Sequence, residues 1–169
     1  CVDERVNAKS HIITANEGNS IALATGYHLA ANKIPLVYMQ NSGLGNAVNP
    51  LLSLADSEVY SIPMLLLIGW RGEPGIVDEP QHVKQGKVQI ELLDTMEIPF
   101  EIISKDTNDL DEKISTIIEI IINNQKPAAL LIKKGTFDKY KTANPKVNQK
   151  LMTREVALNA IIKELPQDS

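Results

Sequence analysis

Short aliphatic runs that alternate with helical patterns constrain the fold of this chain most. The clearest run, Pro63 to Ile68 (PMLLLI), is continuous and apolar, which is typical of a strand that helices cover on both faces. Strands are also predicted at His11–Ala15, Pro35–Met39, Phe100–Ile103 and Pro127–Ile132. Because helical segments separate these runs, the sheet should be mainly parallel. The predicted fold class is therefore α/β, a three-layer α/β/α domain.

The segments between the strands carry helical signals. Asn19 or Ser20 is a suitable N-cap for the first helix. The strongest pattern places isoleucines on one face and acidic residues in the first turn. Helices are predicted at Asn19–Asn32, Asn46–Leu54, His82–Met96, Asp109–Asn124 and Thr153–Leu165.

Composition changes near residue 133 and suggests a division of the chain. Residues 1–133 are predicted to form the α/β domain. Residues 134–152 are rich in lysine and contain an Asn-Pro pair, so they are predicted to be a linker or surface strap. Residues 153–169 are expected to form a helix that leads toward a further domain.

Bulk composition excludes several classes of function. The 169 residues carry a net charge of −4 and only 4% aromatic side chains, which does not favour a nucleic-acid partner. No apolar stretch reaches the roughly 20 residues that span a bilayer. Cys1 is the only cysteine, so an internal disulfide is impossible, and a reducing cytoplasm is the expected location.

Polar residues follow several of the apolar runs, where α/β proteins commonly place their sites. Glu17 follows the first run, and two readings of it stay open. It either offsets a helix dipole in contact with solvent, or it is a proton-sharing carboxylate in a cleft. Asn41 and Ser42 follow the second run, where amide and hydroxyl groups are able to orient a polar ligand.

The glycine-bearing loops do not match the common nucleotide-binding motifs. Gly43 and Gly45 fit the start of the dinucleotide fingerprint, but Val48 stands where it needs glycine or alanine. Asn46 is explained as a helix cap. Gly43 belongs to a turn in this reading.

A second polar segment, from Gly69 to His82, carries charged side chains. Arg71 either binds a phosphonate, sulfonate or carboxylate, or it pairs with Glu73, Asp78 or Glu79. Asp78, Glu79 and His82 are weak indications of a metal site, so no metal ligand is assigned. His82 is better interpreted as a polar or proton-transfer group.

Taken in order, four stretches resemble the phosphonopyruvate decarboxylases, which are thiamine-diphosphate-dependent decarboxylases. The sulfopyruvate decarboxylases resemble this chain in the first two stretches, and the last two favour the phosphonate enzymes. The stretches are NEGNSIALATGYHLA (16–30), VYMQNSGLGNAVNPLLSLAD (37–56), IPMLLLIGWRGEPG (62–75) and DEPQHVKQG (78–86).

The resemblance implies that this is a pyrimidine-binding domain. Glu17 would hydrogen-bond the pyrimidine N1′ with a raised pKa, in a dry interface, and thereby promote removal of the thiazolium C2 proton. Asn41, Ser42 and Gly43 would lie beside the pyrimidine. Gln81 and His82 would occupy the place of polar proton-relay groups, with Gln81 close to the substrate. A phosphonate contact by Arg71 is our own inference.

The resemblance also implies a partner. The family shares thiamine diphosphate between this domain and a diphosphate-binding domain of the same or a neighbouring subunit, so at least a homodimer is expected. Mg²⁺ is bound mainly by that second domain, through a Gly-Asp-Gly…Asn motif that this sequence lacks. The family's Gly-Val-Pro-Asp-Ser segment ahead of the first run is also missing, so the chain is expected to be a fragment without turnover of its own.

Three functions therefore remain open from the sequence. The first is the pyrimidine-binding half of a phosphonopyruvate decarboxylase, which forms phosphonoacetaldehyde and carbon dioxide. The second is the alpha subunit of a sulfopyruvate decarboxylase. The third is a non-catalytic α/β domain that only docks onto another subunit.

Overall fold

Four parallel strands form the centre of the molecule. The computed structural model describes residues 6, 10–140 and 152–164. The strands are β1 (Leu36–Gln40), β2 (Leu65–Gly69), β3 (Phe100–Ile103) and β4 (Ala128–Ile132), and their order in the sheet is β1-β2-β4-β3. Each neighbouring pair is parallel, which confirms the predicted sheet.

Six α-helices are found in the part of the chain that the model describes. A 3₁₀ turn (Asn41–Gly43) precedes the second helix, and a π-helical turn (Leu51–Ala55) follows it. The helices are α1 (Glu17–Ala31), α2 (Leu44–Pro50), α3 (Pro80–Lys87), α4 (Gln89–Thr95), α5 (Leu110–Asn124) and α6 (Arg154–Glu164).

Helices pack on both faces of the sheet and complete the three layers. On one face, α1, α2 and α4 enclose a core that includes Ile21, Leu44 and Leu93 against Met39 and Leu66. On the other face, Ile117 and Ile121 of α5 pack on the strand residues Ala128, Leu130 and Ile132. The alternation of side chains along each strand supplies both cores.

β1 is covered on one face only. Val37 and Met39 are buried, whereas Leu36 and Tyr38 between them are exposed. The pattern is that of an edge strand with one solvent-facing side.

The strand predicted at His11–Ala15 is wrong. Residues 11–14 have no strand pairing, and the side chain of Ile13 is 89% exposed. An apolar run forms a strand only where a neighbouring strand completes its hydrogen bonds, and the described sheet ends at β1. Thr14 instead hydrogen-bonds the hydroxyl of Ser20 at 2.6 Å, beside the start of α1.

The bounds of the predicted helices differ from the observed ones. The helix predicted at Asn46–Leu54 begins at Leu44 and ends in the π-helical turn Leu51–Ala55. Asn16 is the N-cap of α1, and its side-chain oxygen accepts a hydrogen bond from the Asn19 N–H at 2.9 Å, so Asn19 and Ser20 lie inside the helix. The single helix predicted from His82 to Met96 is divided into α3 and α4 at Val88.

The predicted linker and terminal helix are described only in part. Residues 141–151 and 165–169 lie outside the described residues. Within the predicted terminal helix, α6 covers Arg154–Glu164 and buries none of its side chains. The division into domains stays a prediction.

Candidate functional site

All four strands end at the same edge of the sheet, here called the carboxyl edge. The segments that leave this edge are the 3₁₀ turn after β1, the loop 70–79 after β2, the loop 104–109 after β3, and residues 133–137 after β4. In open parallel sheets this edge is where ligands bind. The predicted site residues on these segments are therefore grouped by the topology.

Glu17 packs against Gly43 at the start of α1. A Cβ added to Gly43 would lie 2.2 Å from Cδ and from Oε1 of Glu17, so the carboxylate rests on the glycine backbone. Asn46 of α2 donates its amide N–H to Oε2 of Glu17 at 2.9 Å. Glu17 is the first residue of α1, it is only partly exposed, and its carboxylate contacts a second helix, so both interpretations of its role stay open.

The pKa of Glu17 is lowered in this chain. The amide of Asn46 is the largest cause, and the N–H of Glu17 itself acts in the same direction, since both stabilise the ionised form. The resemblance predicts a raised pKa for Glu17, whereas this chain by itself has a lowered one. Burial opposes the shift, but it is too slight here to reverse it.

Asn46 is a site residue that the sequence interpretation missed. It was explained as a helix cap, but it lies within α2 and its side chain reaches Glu17. No periodicity marks this contact, because the two residues are 29 positions apart. The contact exists because α1 and α2 pack side by side.

Asn41 connects the ends of β1 and β2. Its side-chain oxygen accepts a hydrogen bond from the Arg71 N–H at 2.8 Å, and its Nδ2 donates to the Arg71 carbonyl oxygen at 2.9 Å. The residue is 3% exposed. The two hydrogen bonds of the Asn41 amide therefore position the loop that carries Arg71.

Arg71 pairs with Asp78 through two parallel hydrogen bonds. Nε donates to Oδ2 at 2.8 Å and Nη2 donates to Oδ1 at 2.6 Å. The guanidinium remains 34% exposed, and Nη1 lies 3.5 Å from the side-chain oxygen of Gln40. Arg71 does pair with an acidic residue, Asp78. Part of its guanidinium is still exposed and is available to an anion.

His82 lies in α3 with its ring against Asp78. Nδ1 is 3.2 Å from Oδ1 of Asp78, and the residue is buried. A carboxylate at Nδ1 favours the tautomer with the proton on that nitrogen, which leaves Nε2 as an acceptor. Nε2 would then be able to accept a proton, and the proton-transfer role of His82 stays a prediction.

Ser42 and Gln81 are placed differently. Ser42 is half-buried, and its carbonyl oxygen accepts a hydrogen bond from the amide of Gln85 at 3.3 Å. Gln81 is exposed, and within the described ranges its side chain has no hydrogen-bond partner. One helical turn separates Gln81 from Gln85, so Gln85, which the sequence interpretation missed, is the glutamine that reaches the β1 turn.

These contacts form one continuous series along the carboxyl edge. Glu17 contacts Gly43, the neighbouring Ser42 contacts α3, and α3 carries His82. Asn41 contacts Arg71, which shares Asp78 with His82. The structure therefore joins all of the predicted site residues except Gln81.

A cavity of about 180 Å³ opens beside Arg71 at the ends of β1, β2 and β4. Lys133 lines it, bound to the carboxylate of Glu73 at 2.6 Å, and its Nζ is 5.9 Å from the Trp70 ring centroid. Further lining residues are Tyr38, Gln40, Lys134, Ile132 and Phe137. Three cations lie on its wall, of which Arg71 and Lys133 are paired with the carboxylates of Asp78 and Glu73.

Metal ligands were not assigned from the sequence. In the described ranges, no three His, Cys, Asp or Glu side chains are grouped so that they are able to hold a metal ion. Both oxygens of Asp78 accept hydrogen bonds from protein N–H groups.

No helix among the described residues is both long enough and apolar enough to cross a membrane.

Comparison of the amino-acid sequence with known families finds a match to one of them. The family model described as "Thiamine pyrophosphate enzyme, N-terminal TPP binding domain" matches residues 3–98. That range contains Glu17, Gly43, Asn46, Arg71 and His82. The chain belongs to this family. The matched range ends just before β3. The strands β3 and β4, which lie beyond that range, complete the sheet.

Characterised relatives of the domain bear two names. The chain is similar to a phosphonopyruvate decarboxylase of Streptomyces viridochromogenes, with 29% identity over 96% of this chain and 44% of that protein. It is also similar to the phosphonopyruvate decarboxylase of Streptomyces hygroscopicus, with 30% identity over 76% of this chain and 31% of that protein. The chain thus spans less than half the length of these relatives.

The second name belongs to a shorter protein. The chain is similar to sulfopyruvate decarboxylase subunit alpha of Methanococcus maripaludis, with 36% identity over 72% of this chain and 70% of that subunit. Both kinds of relative are decarboxylases by name, and they differ in the anionic group of the 2-oxo acid.

Proposed function

We propose that this chain is the pyrimidine-binding part of a thiamine-diphosphate-dependent decarboxylase that converts phosphonopyruvate to phosphonoacetaldehyde and carbon dioxide. The observation that carries the proposal is the Glu17 carboxylate, seated on Gly43 and bound by Asn46 at the carboxyl edge. Membership of the TPP-binding family and the likeness to phosphonopyruvate decarboxylases support it.

The residues at this edge fit the pyrimidine of the cofactor. Glu17 is held on two sides, so its carboxyl group has little freedom to leave the position in which it would meet a ring nitrogen. Gly43 has no side chain above the carboxylate, which leaves room that a Cβ would occupy. When bound, thiamine diphosphate supplies an electron-accepting ring that allows carbon dioxide to leave a 2-oxo acid.

Glu17 would hold the proton that the pyrimidine requires. In this chain its carboxyl group favours the ionised form, since Asn46 and its own N–H donate to it. When a second domain closes over the edge and removes water, burial raises the pKa of a carboxyl group. The assembled site would thus make Glu17 a proton-sharing group.

Arg71 and His82 would act on the substrate. The exposed face of the Arg71 guanidinium, together with Lys133 in the same cavity, would bind the phosphonate. His82 would exchange a proton through Nε2, since Asp78 occupies Nδ1.

The remaining half of the site would come from a partner. A diphosphate-binding domain of the same or a neighbouring subunit would bind Mg²⁺ and the diphosphate, and sharing one cofactor would require at least a dimer. The chain alone is therefore expected to show negligible turnover.

A second substrate is favoured by one comparison. The likeness to the sulfopyruvate decarboxylase alpha subunit has the higher identity and covers 70% of that subunit. A sulfonate would meet the same cations, so kcat/KM measured for phosphonopyruvate and sulfopyruvate with the holoenzyme decides between them. A higher value for sulfopyruvate would replace the proposed substrate.

The role of Glu17 is tested by the substitution Glu17→Gln in the holoenzyme. We expect exchange of the thiazolium C2 proton and decarboxylation to fall by about 100-fold or more, because an amide cannot share a proton as a carboxyl group does. Glu119→Gln is the control, since Glu119 is an exposed carboxylate on α5. Unchanged proton exchange in Glu17→Gln would favour the non-catalytic docking domain.

A further inference from the structure

Asp78 accepts hydrogen bonds from five N–H groups. Its Oδ1 receives Nη2 of Arg71 at 2.6 Å, the Glu79 N–H at 2.8 Å and Nδ1 of His82 at 3.2 Å. Its Oδ2 receives Nε of Arg71 and the Gly72 N–H, both at 2.8 Å. Every one of these neighbours is a donor when His82 carries its proton on Nδ1.

Only an ionised carboxylate satisfies such a set of donors. An ionised Asp has two acceptor oxygens and no hydrogen to place against a donor, whereas an Asn places an NH₂ group at one of the two positions. The side chain of Asp78 is 5% exposed, so water cannot replace a lost partner. The pKa of this carboxyl group lies well below its usual range, and Arg71 is the largest cause.

The five donors come from two separate elements of the site. Arg71 and Gly72 follow β2, whereas Glu79 and His82 belong to the start of α3. The backbones also touch, since a Cβ on Gly72 would lie 2.0 Å from the His82 carbonyl oxygen. Asp78 therefore fixes the direction of the guanidinium relative to the imidazole.

We propose that Asp78 is a positioning residue that holds the Arg71 guanidinium toward the anion cavity and the His82 imidazole with its proton on Nδ1. This inference rests on the proposed function for its effect on substrate. Asp78 would not touch the substrate. Its effect would act through Arg71 on binding of the anionic group and through His82 on proton transfer at Nε2.

The alternative is that Asp78 only attaches the loop to α3. The substitution Asp78→Asn separates the two roles, because it conserves the shape of the side chain and changes only donors and charge. Glu101→Gln is the matched control. Glu101 is a carboxylate of β3 that forms an ion pair with Lys113, away from the segments of the site.

The first measurement is made on the chain itself. Long-range ¹H–¹⁵N NMR of the neutral imidazole reports which ring nitrogen of His82 carries the proton. We expect the Nδ1–H tautomer in the parent chain and in Glu101→Gln, and its loss in Asp78→Asn. A proton on Nε2 in the parent chain would overturn the proposal.

The second measurement uses the holoenzyme with phosphonopyruvate. We expect KM for the substrate to rise by about tenfold in Asp78→Asn, with KM for thiamine diphosphate unchanged and kcat lowered. Should Asp78→Asn not fold, the imidazole tautomer of the parent chain still tests the proposal. Lower thermal stability with unchanged KM and tautomer would mean that Asp78 is structural only.

The two proposals fail differently. If the parent holoenzyme decarboxylates neither phosphonopyruvate nor sulfopyruvate, the proposed function is wrong. The imidazole tautomer would still decide whether Asp78 positions His82.

Discussion

Residue 43 needs to be a glycine because the side chain of Glu17 occupies the space where a Cβ would lie. The backbone there has φ −91° and ψ −9°, which any residue adopts, so the requirement is for space. Gly43→Ala would place a methyl group within 2.2 Å of the carboxylate and displace it from Asn46. A displacement of about 1 Å at a catalytic group costs roughly 100-fold in rate, and we expect a loss of this size in C2 proton exchange by the holoenzyme.

Gly45→Ala provides the control for this prediction. A Cβ at Gly45 would have no atom within 4 Å, although the residue lies only two positions away in α2. We expect this variant to keep its proton exchange and to gain about 0.5–1 kcal/mol in the free energy of unfolding, since alanine favours a helix. Equal losses in the two variants would contradict the steric role of Gly43.

Asn46 controls the ionisation of Glu17 at the same site. Asn46→Ala removes the largest cause of the lowered pKa, so the Glu17 pKa should rise toward its ordinary value. A ¹³C NMR titration of the side-chain carboxyl carbon measures this directly. Asn49→Ala, an exposed position farther along α2, should leave the titration unchanged, and an equal shift there would refute the assignment.

Among the secondary-structure elements, the strand bounds were predicted best where one apolar run forms one whole strand. The bounds of β3 were predicted correctly, and those of β1 and β4 to within one residue, because each of these runs follows a proline and is followed by polar residues. His11–Ala15 is equally apolar, but a strand depends on a neighbour that local composition does not reveal.

The site was predictable only as a set of segments. Glu17, Arg71 and His82 were recognised because polar side chains follow apolar runs. The contacts of Asn46 with Glu17 and of Gln85 with Ser42 join residues that are distant in sequence, so they depend on packing. The choice of Gln81 over Gln85 shows this limit, since both lie in α3 and differ by one turn.

The packing of α3 on the loop after β2 depends on two glycines in contact. A Cβ at Gly86 would lie 1.8 Å from the Gly72 carbonyl oxygen, and the Gly86 carbonyl accepts a hydrogen bond from Nε1 of Trp70 at 3.0 Å. Gly86→Ala would push α3 away from the loop. We expect a loss of about 1–3 kcal/mol in the free energy of unfolding, as for other overpacked sites.

Trp70 reports this change because it is the only tryptophan and is buried. Its emission should shift to longer wavelength in Gly86→Ala as the indole N–H loses its partner. Gly26→Ala, in α1 with no atom within 4 Å of the added Cβ, should leave the emission spectrum unchanged. A parent-like spectrum in Gly86→Ala would mean that the two elements are not in close contact.

Two carboxyl groups of the site make the free energy of unfolding of the whole molecule depend on pH under acidic conditions. The pKa of Asp78 and that of Glu17 are both lowered in the folded chain, so each contributes stability that is fully present above its unfolded pKa. For an Asp that value is about 3.9. The contribution is lost as the pH falls through the lower, folded pKa. The free energy of unfolding should therefore be level near neutrality and decrease below about pH 4.

The substitution Asp78→Asn measures how much of this loss of stability in acid is due to the hydrogen bonds that Asp78 accepts from Arg71 and His82. At neutral pH the variant should be less stable than the parent, because donors of Arg71 and Gly72 lose an ionised acceptor. As the pH falls below about 3.9, the ordinary pKa of an Asp, the parent progressively loses this contribution, so the difference between the two free energies of unfolding should shrink. Urea unfolding at a series of pH values measures the difference. A difference that stays constant from neutral to acid pH would show that Asp78 stabilises the chain by packing rather than by its charge.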